Sequence, residues 1–187
     1  ASAQLRADRE VVFEAIGQDC EALWHASDEL KADRHVVLRA LRQALRHGPW
    51  AEERAKRVLR CASEALTQDE SFMVEVVREN GLLLEGAALE LLGEKSVVMA
   101  AVNQNGDALR RAAKAMKEDR EVVLRAVHQN GEALRYAGVG PRSDSEVVLA
   151  AIGTSFAALR HATEVVRDDP KVVLHAVQQK GDVLQYA

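Results

Sequence analysis

Six histidines and two cysteines are the residues of this 187-residue chain best equipped for metal or nucleophilic chemistry. A metal site needs ligands that converge, such as His at i and i+4 on one helix face or Cys pairs two residues apart. His25, His35, His47, His128, His161 and His175 form no H-x-x-x-H, and Cys20 and Cys61 form no C-x-x-C. No serine stands in G-x-S-x-G, and the glycines are isolated rather than set in a G-x-x-x-x-G-K phosphate loop. The carboxylate pairs Glu52-Glu53 and Asp168-Asp169 fall at expected helix starts, where the helix dipole accounts for them. The reading is a non-catalytic protein with no cofactor and no metal.

One charged feature is periodic. Arg60, Arg110, Arg135 and Arg160 each follow a recurring Leu, and the last three should form a row along one edge. Such a row could meet an acidic partner or phosphates. Asp107, Glu132 and Asp182 recur close by and favour a balanced, solvated face. The net charge of -4 gives no general attraction for nucleic acid or anionic lipid.

The elements that carry these residues are themselves repeated. Asp8, Asp33, Asp69, Glu94, Asp119, Asp144 and Asp169 each precede, after two residues, an apolar triplet. Every step between these acids is 25 residues except the second, which is 36. The acid is a good helix N-cap, and Pro170 after Asp169 suits the first helical position. Val122, Val123, Ala126 and Val127 then lie on one face of an α-helix. Asn80-Gly81, Asn105-Gly106 and Asn130-Gly131 read as helix stops, with Gly taking the left-handed conformation of a C-cap. A second, shorter helix is marked by Leu and Ala three apart, from Leu23/Ala26 through Leu134/Ala137 to Leu184/Ala187. An apolar residue four further on, such as Leu30, Leu66, Leu91, Met116 or Val166, completes its stripe.

Helices this short are marginal alone in water, so each hairpin must stack on its neighbours. The expected fold is all-α: one domain over residues 1–187, an α-solenoid of seven helical-hairpin repeats with a 25-residue period. The pattern D-R-E-V-V-L-x-A-V-x-Q-N-G-x-A-L-x-Y-A is clearest at Asp119–Ala137 and recurs at Glu94–Ala112 and Asp169–Ala187. It resembles the repeat family called domain of unknown function 4116. The resemblance covers nearly the whole chain and implies a helical repeat with no assigned activity; the first, second, third and sixth copies lack its Asn-Gly, its Tyr, or both.

The pattern breaks at two places. Eleven extra residues fall within 42–57 of the second copy, so both helices of that hairpin should be longer, with His47-Gly48-Pro49 as the turn. Trp50 comes just after the turn; the favoured reading packs it back on its own hairpin, and the competing one makes it, with His47 and Pro49, a partner anchor. Gly138-Val139-Gly140-Pro141 should end a helix early and form a loop.

Composition fits a folded protein: hydrophobic residues are 48% and charged residues 29%, which excludes a disordered chain. Two unpaired cysteines lean towards a reducing intracellular or organellar compartment. The chain starts and stops on repeat residues, which suggests ends covered by further chain or by a partner. The functional expectation is a scaffold or adaptor binding other proteins, within a larger assembly or a longer array. The alternative is electrostatic binding of nucleic acid or anionic lipid through the Arg row.

Overall fold

The computed structural model describes residues 2–46 and 48–179. Among them every regular element is helical and no strand forms. The longer α-helices are α1 (Arg9–Gln18), α2 (Arg34–Leu45), α3 (Ala51–Cys61), α4 (Glu70–Glu79), α5 (Lys95–Gln104), α6 (Arg120–Gln129), α7 (Ser145–Thr154) and α8 (Pro170–Gln179).

Each long helix except α3 starts at one of the recurring acids. Asp119 shows why: its Oδ1 accepts the amides of Glu121 at 2.9 Å and Val122 at 3.2 Å, satisfying two orphan donors of α6. Asp8, Asp33 and Asp144 make the same pair of bonds. Glu94 makes no side-chain cap bond, its chain being one methylene longer. Behind the caps, Val122, Val123, Ala126 and Val127 are wholly buried, as are their counterparts in α5 and α7. These faces pack helix on helix, α4 to α5, α5 to α6, α6 to α7 and α7 to α8. With Ala and Val at the contacts the helices approach closely, and the core is one continuous cluster.

After a regular long helix the chain does not form the single second helix expected. It makes a 3-10 helix, for example Gly131–Tyr136, then an extended residue, Ala137, then a separate α-turn, Val139–Arg142. The Leu/Ala spacing of three is the 3-10 period, in which i and i+3 eclipse. Leu134 and Ala137 are both buried, and the third apolar residue of the stripe belongs to the next turn.

The Asn-Gly stops also work differently. Among the described residues only Gly48, in the α2–α3 turn, has a positive φ, at 95°. Asn80, Asn105 and Asn130 are extended, and each side chain accepts the amide two residues on, starting the 3-10 helix. The glycine is needed for space instead: a Cβ on Gly106 would lie 2.4 Å from the carbonyl oxygen of Ala126 in the next long helix.

Gly138-Val139-Gly140-Pro141 is likewise no loop. Val139–Arg142 forms a short α-turn, and Pro141 sits buried where Met116 lies one copy earlier. A proline in a first turn removes only an amide that lacks an intrahelical partner anyway.

Neighbouring units are tied by main chain. The residue after each extended position donates its amide to a carbonyl of the short turn before it. The bonds run Ser27 to Arg6 (2.8 Å), Ser63 to Lys31 (3.0 Å), Ala88 to Thr67 (3.1 Å), Ala113 to Leu92 (2.8 Å), Gly138 to Lys117 (2.8 Å) and Thr163 to Arg142 (3.0 Å). In the long copy α2 extends to 12 residues, and α3 is an 11-residue α-helix where the other copies, within the described residues, have a six-residue 3-10 helix. Both limbs are thus longer, as the insertion implies. The final Leu184/Ala187 pair and Asp182 lie outside the described residues.

Candidate functional site

The polar residues on the outside sort into three groups. The first comprises clamps between helix starts. Arg9, Arg34, Lys95 and Arg120, each next to its own cap acid, reach the cap acid of the next acid-capped helix, respectively Asp33, Asp69, Asp119 and Asp144. At Asp144, partial burial pushes the carboxyl up, but bonds from Arg120 and from the amides of Val147 and Glu146 outweigh it and hold the group below its usual range.

The second group is the expected Arg row. Arg110, Arg135 and Arg160 are all exposed, as is Arg60. Arg160 pairs with Glu132 at 2.7 Å, and Arg135 approaches Asp107 at 3.9 Å while lying over the Tyr136 ring, 4.5 Å from its centroid. The recurring carboxylates therefore do stand against the row, reaching from the copy before. Around Glu132 a Ser and a His join Arg160: Ser155 donates to Oε1 at 3.1 Å and His161 Nε2 lies 3.2 Å from Oε2. Hydrolytic chemistry would require His between Ser and acid. Here the carboxylate is in the middle, with Ser155, Arg160 and His161 all fastened to it. Burial raises the Glu132 carboxyl, but bonds from His161, Arg160 and Ser155 bring it below the ordinary range.

The third group is the long hairpin. Trp50 is 71% exposed and makes no cap bond to α3, so it does not pack back on its hairpin, contrary to the favoured expectation. The short chain between α2 and α3 leaves it at the hairpin's bend. Pro49 is exposed beside it, and His47 lies outside the described residues. Below the bend, α1 and α2 line a cleft of about 430 Å³ with Phe13, His35, Arg39, Arg42 and Arg46 among its walls. Sequence reasoning passed over these arginines. The signal was there: residues 35, 39, 42 and 46 step by four, three and four, one stripe of a helix.

The remaining candidates stay dispersed. His25, His35, His128 and His175 are exposed, and among the described residues no group of three or more His, Cys, Asp or Glu could hold a metal ion. Cys20 and Cys61 are free thiols. Arg54 donates to the buried Cys20 sulfur at 3.2 Å, and this bond raises the arginine further. Burial pushes the Cys61 thiol up, which makes it a poor nucleophile. Among the described residues no helix is long and apolar enough to cross a membrane.

The repeated cap, 3-10 helix and turn correspond to a known family. A model of the family described as Domain of unknown function (DUF4116) matches residues 8–66, 69–117, 94–139 and 144–187. The chain belongs to this family. The overlapping DUF4116 matches fit a repeated unit, and they cover the long copy as well as the regular ones. No curated protein and no solved structure gives a significant match. DUF4116 membership goes with the repeated helical fold described above.

Proposed function

We propose that this DUF4116 chain is a non-catalytic scaffold or adaptor for other proteins. Its architecture is an α-solenoid of seven copies with a 25-residue period, interrupted once by the long hairpin. It serves as a peripheral structural subunit or as part of a longer array. The contacts between successive long helices and the main-chain bonds between successive short turns support the stacking. The observation that carries the interaction role is Trp50, 71% exposed at the bend of the one enlarged hairpin. Exposed Trp is costly in water and is a favoured anchor at protein interfaces. Leu89, Val139 and Val165, at the starts of short turns, add exposed apolar surface.

The electrostatic alternative through the Arg row has less support. Arg135 and Arg160 already face carboxylates, which lowers the positive charge left for phosphates.

The test is affinity capture from source-cell extract with the wild-type chain and with Trp50→Ala, compared by quantitative mass spectrometry. A partner held by the wild type and lost from the variant is the expected result. Identical profiles would remove Trp50 as the anchor and with it the main support for the scaffold reading.

A further inference from the structure

The cleft between α1 and α2 is lined by two arginines that no described carboxylate answers, Arg39 and Arg46. Arg34 reaches Asp69 and Glu75, and Arg42 reaches Glu79 at 2.8 Å. Among the described residues, Arg39 and Arg46 have no carboxylate within ion-pair distance, in a protein whose net charge is -4. Arg39 is held in place by neutral groups: its Nε donates to the Phe13 carbonyl at 3.3 Å and its guanidinium lies 5.3 Å from the Phe13 ring centroid. Gly17 makes room for it, since a Cβ there would stand 3.3 Å from the guanidinium. Gln43 is tied in the same way, donating to the Gly17 carbonyl at 2.8 Å and accepting from Arg46 at 3.5 Å. Holding a guanidinium by neutral partners fixes its geometry and leaves its charge for a ligand.

We infer that this cleft binds a short acidic peptide segment of a partner protein, its carboxylates meeting Arg39 and Arg46. The inference rests on the scaffold reading and adds the chemistry of the partner. Seven residues separate the two arginines, a rise of about 10 Å along the helix. Acids at alternate positions of an extended peptide share a face at spacings of about 7 and 13 Å, which bracket that distance within reach of the flexible arginine side chains. Nucleic acid fits less well. In the cleft the unpaired charge lies along α2 and its C-cap, and α4 brings Glu75 and Glu79 against α2. The Phe13 ring that could stack on a base has both Arg9 and Arg39 against it, each 5.3 Å from its centroid.

The test is fluorescence anisotropy with the full chain and a fluorescein-labelled peptide of alternating Glu and Ala. Its Gln-Ala counterpart and single-stranded oligo-dT serve as comparisons. The Glu-Ala peptide should bind, and Arg39→Gln/Arg46→Gln should weaken it by about tenfold or more. Arg110→Gln/Arg135→Gln/Arg160→Gln should leave it within about twofold. Circular dichroism establishes that each variant is folded; if the double variant is not, Arg46→Gln alone, just past the end of α2, carries the comparison. No binding of the Glu-Ala peptide, equal binding of Gln-Ala, insensitivity to the cleft variants, or tighter binding of oligo-dT would each overturn the inference. A partner lost from Trp50→Ala but indifferent to the cleft variants would leave the scaffold reading standing and this one not.

Discussion

Arg120, the first residue of α6, bonds Asp144, the cap of α7, with Nε donating to Oδ2 at 2.8 Å. The carboxylate therefore serves two helices at once. Its Oδ1 caps α7 through the amides of Glu146 and Val147, and its Oδ2 fastens α6 alongside. The two duties separate by substitution. Asp144→Ala should lower stability by about 1–2 kcal/mol, because both the cap and the clamp are lost. Asp144→Asn should recover most of this, since Asn caps nearly as well, and Arg120→Ala should cost less than Asp144→Ala. Urea midpoints rank the three; Asp144→Asn as damaging as Asp144→Ala would show the cap to be unimportant.

The same carboxylates set an acid limit. Asp144 and Glu132 are held below their ordinary range in the folded chain, so their contribution is complete above the unfolded value and lost as pH falls through the folded one. The urea midpoint should be flat towards neutral pH and drop below about pH 4. Asp144→Asn/Glu132→Gln should show a shallower acid decline. An unchanged slope would mean that other groups dominate.

Two glycines should respond in opposite ways to the same change. Gly106→Ala would drive a methyl against the Ala126 backbone oxygen, which can move only with its helix, and should destabilise by about 1–3 kcal/mol. Gly153 lies within α7 with nothing within 4 Å of an added Cβ. Gly153→Ala should stabilise by about 0.5–1 kcal/mol, because alanine is the better helix former. Thermal melts of the two variants decide it, and melts shifted in the same direction would count against the close approach at Gly106.

Trp50→Ala offers a separation of structure from binding. The side chain is exposed and makes no cap bond, so chemical unfolding should change by no more than about 0.5 kcal/mol. A larger loss would return Trp50 to the role of a hairpin staple and weaken its role as a partner anchor.

Sequence patterning revealed the helices because each starts on a chemically distinct cap and buries a regular face. Asp119 followed by Val122, Val123, Ala126 and Val127 leaves little choice. The 3-10 helix was harder to read. Leu134 and Ala137 fit a short α-helix as well as a 3-10 turn, and only the extended backbone at Ala137 separates the latter from the next turn. The reason for Gly106 was hidden in another part of the chain, in the carbonyl of Ala126. Trp50 shows the same limit from the other side, since burial depends on what the bend of α2 and α3 happens to reach. The Arg39 cleft was visible as a stripe, but its uncompensated charge was not, because Glu79 meets Arg42 from a different helix.

The amide of Ser63 still meets the carbonyl of Lys31 at 3.0 Å, although the enlarged hairpin lies between them. Its regular counterparts, such as Ala113 to Leu92, span a shorter stretch of chain with nearly the same geometry. Because the coupling uses only peptide groups, it makes no demand on the length of the hairpin that hangs from the far end. The α2–α3 bend is thus a natural grafting point, where evolution or an engineer can lengthen one unit, change the surface it displays, and leave the spacing of every other unit untouched.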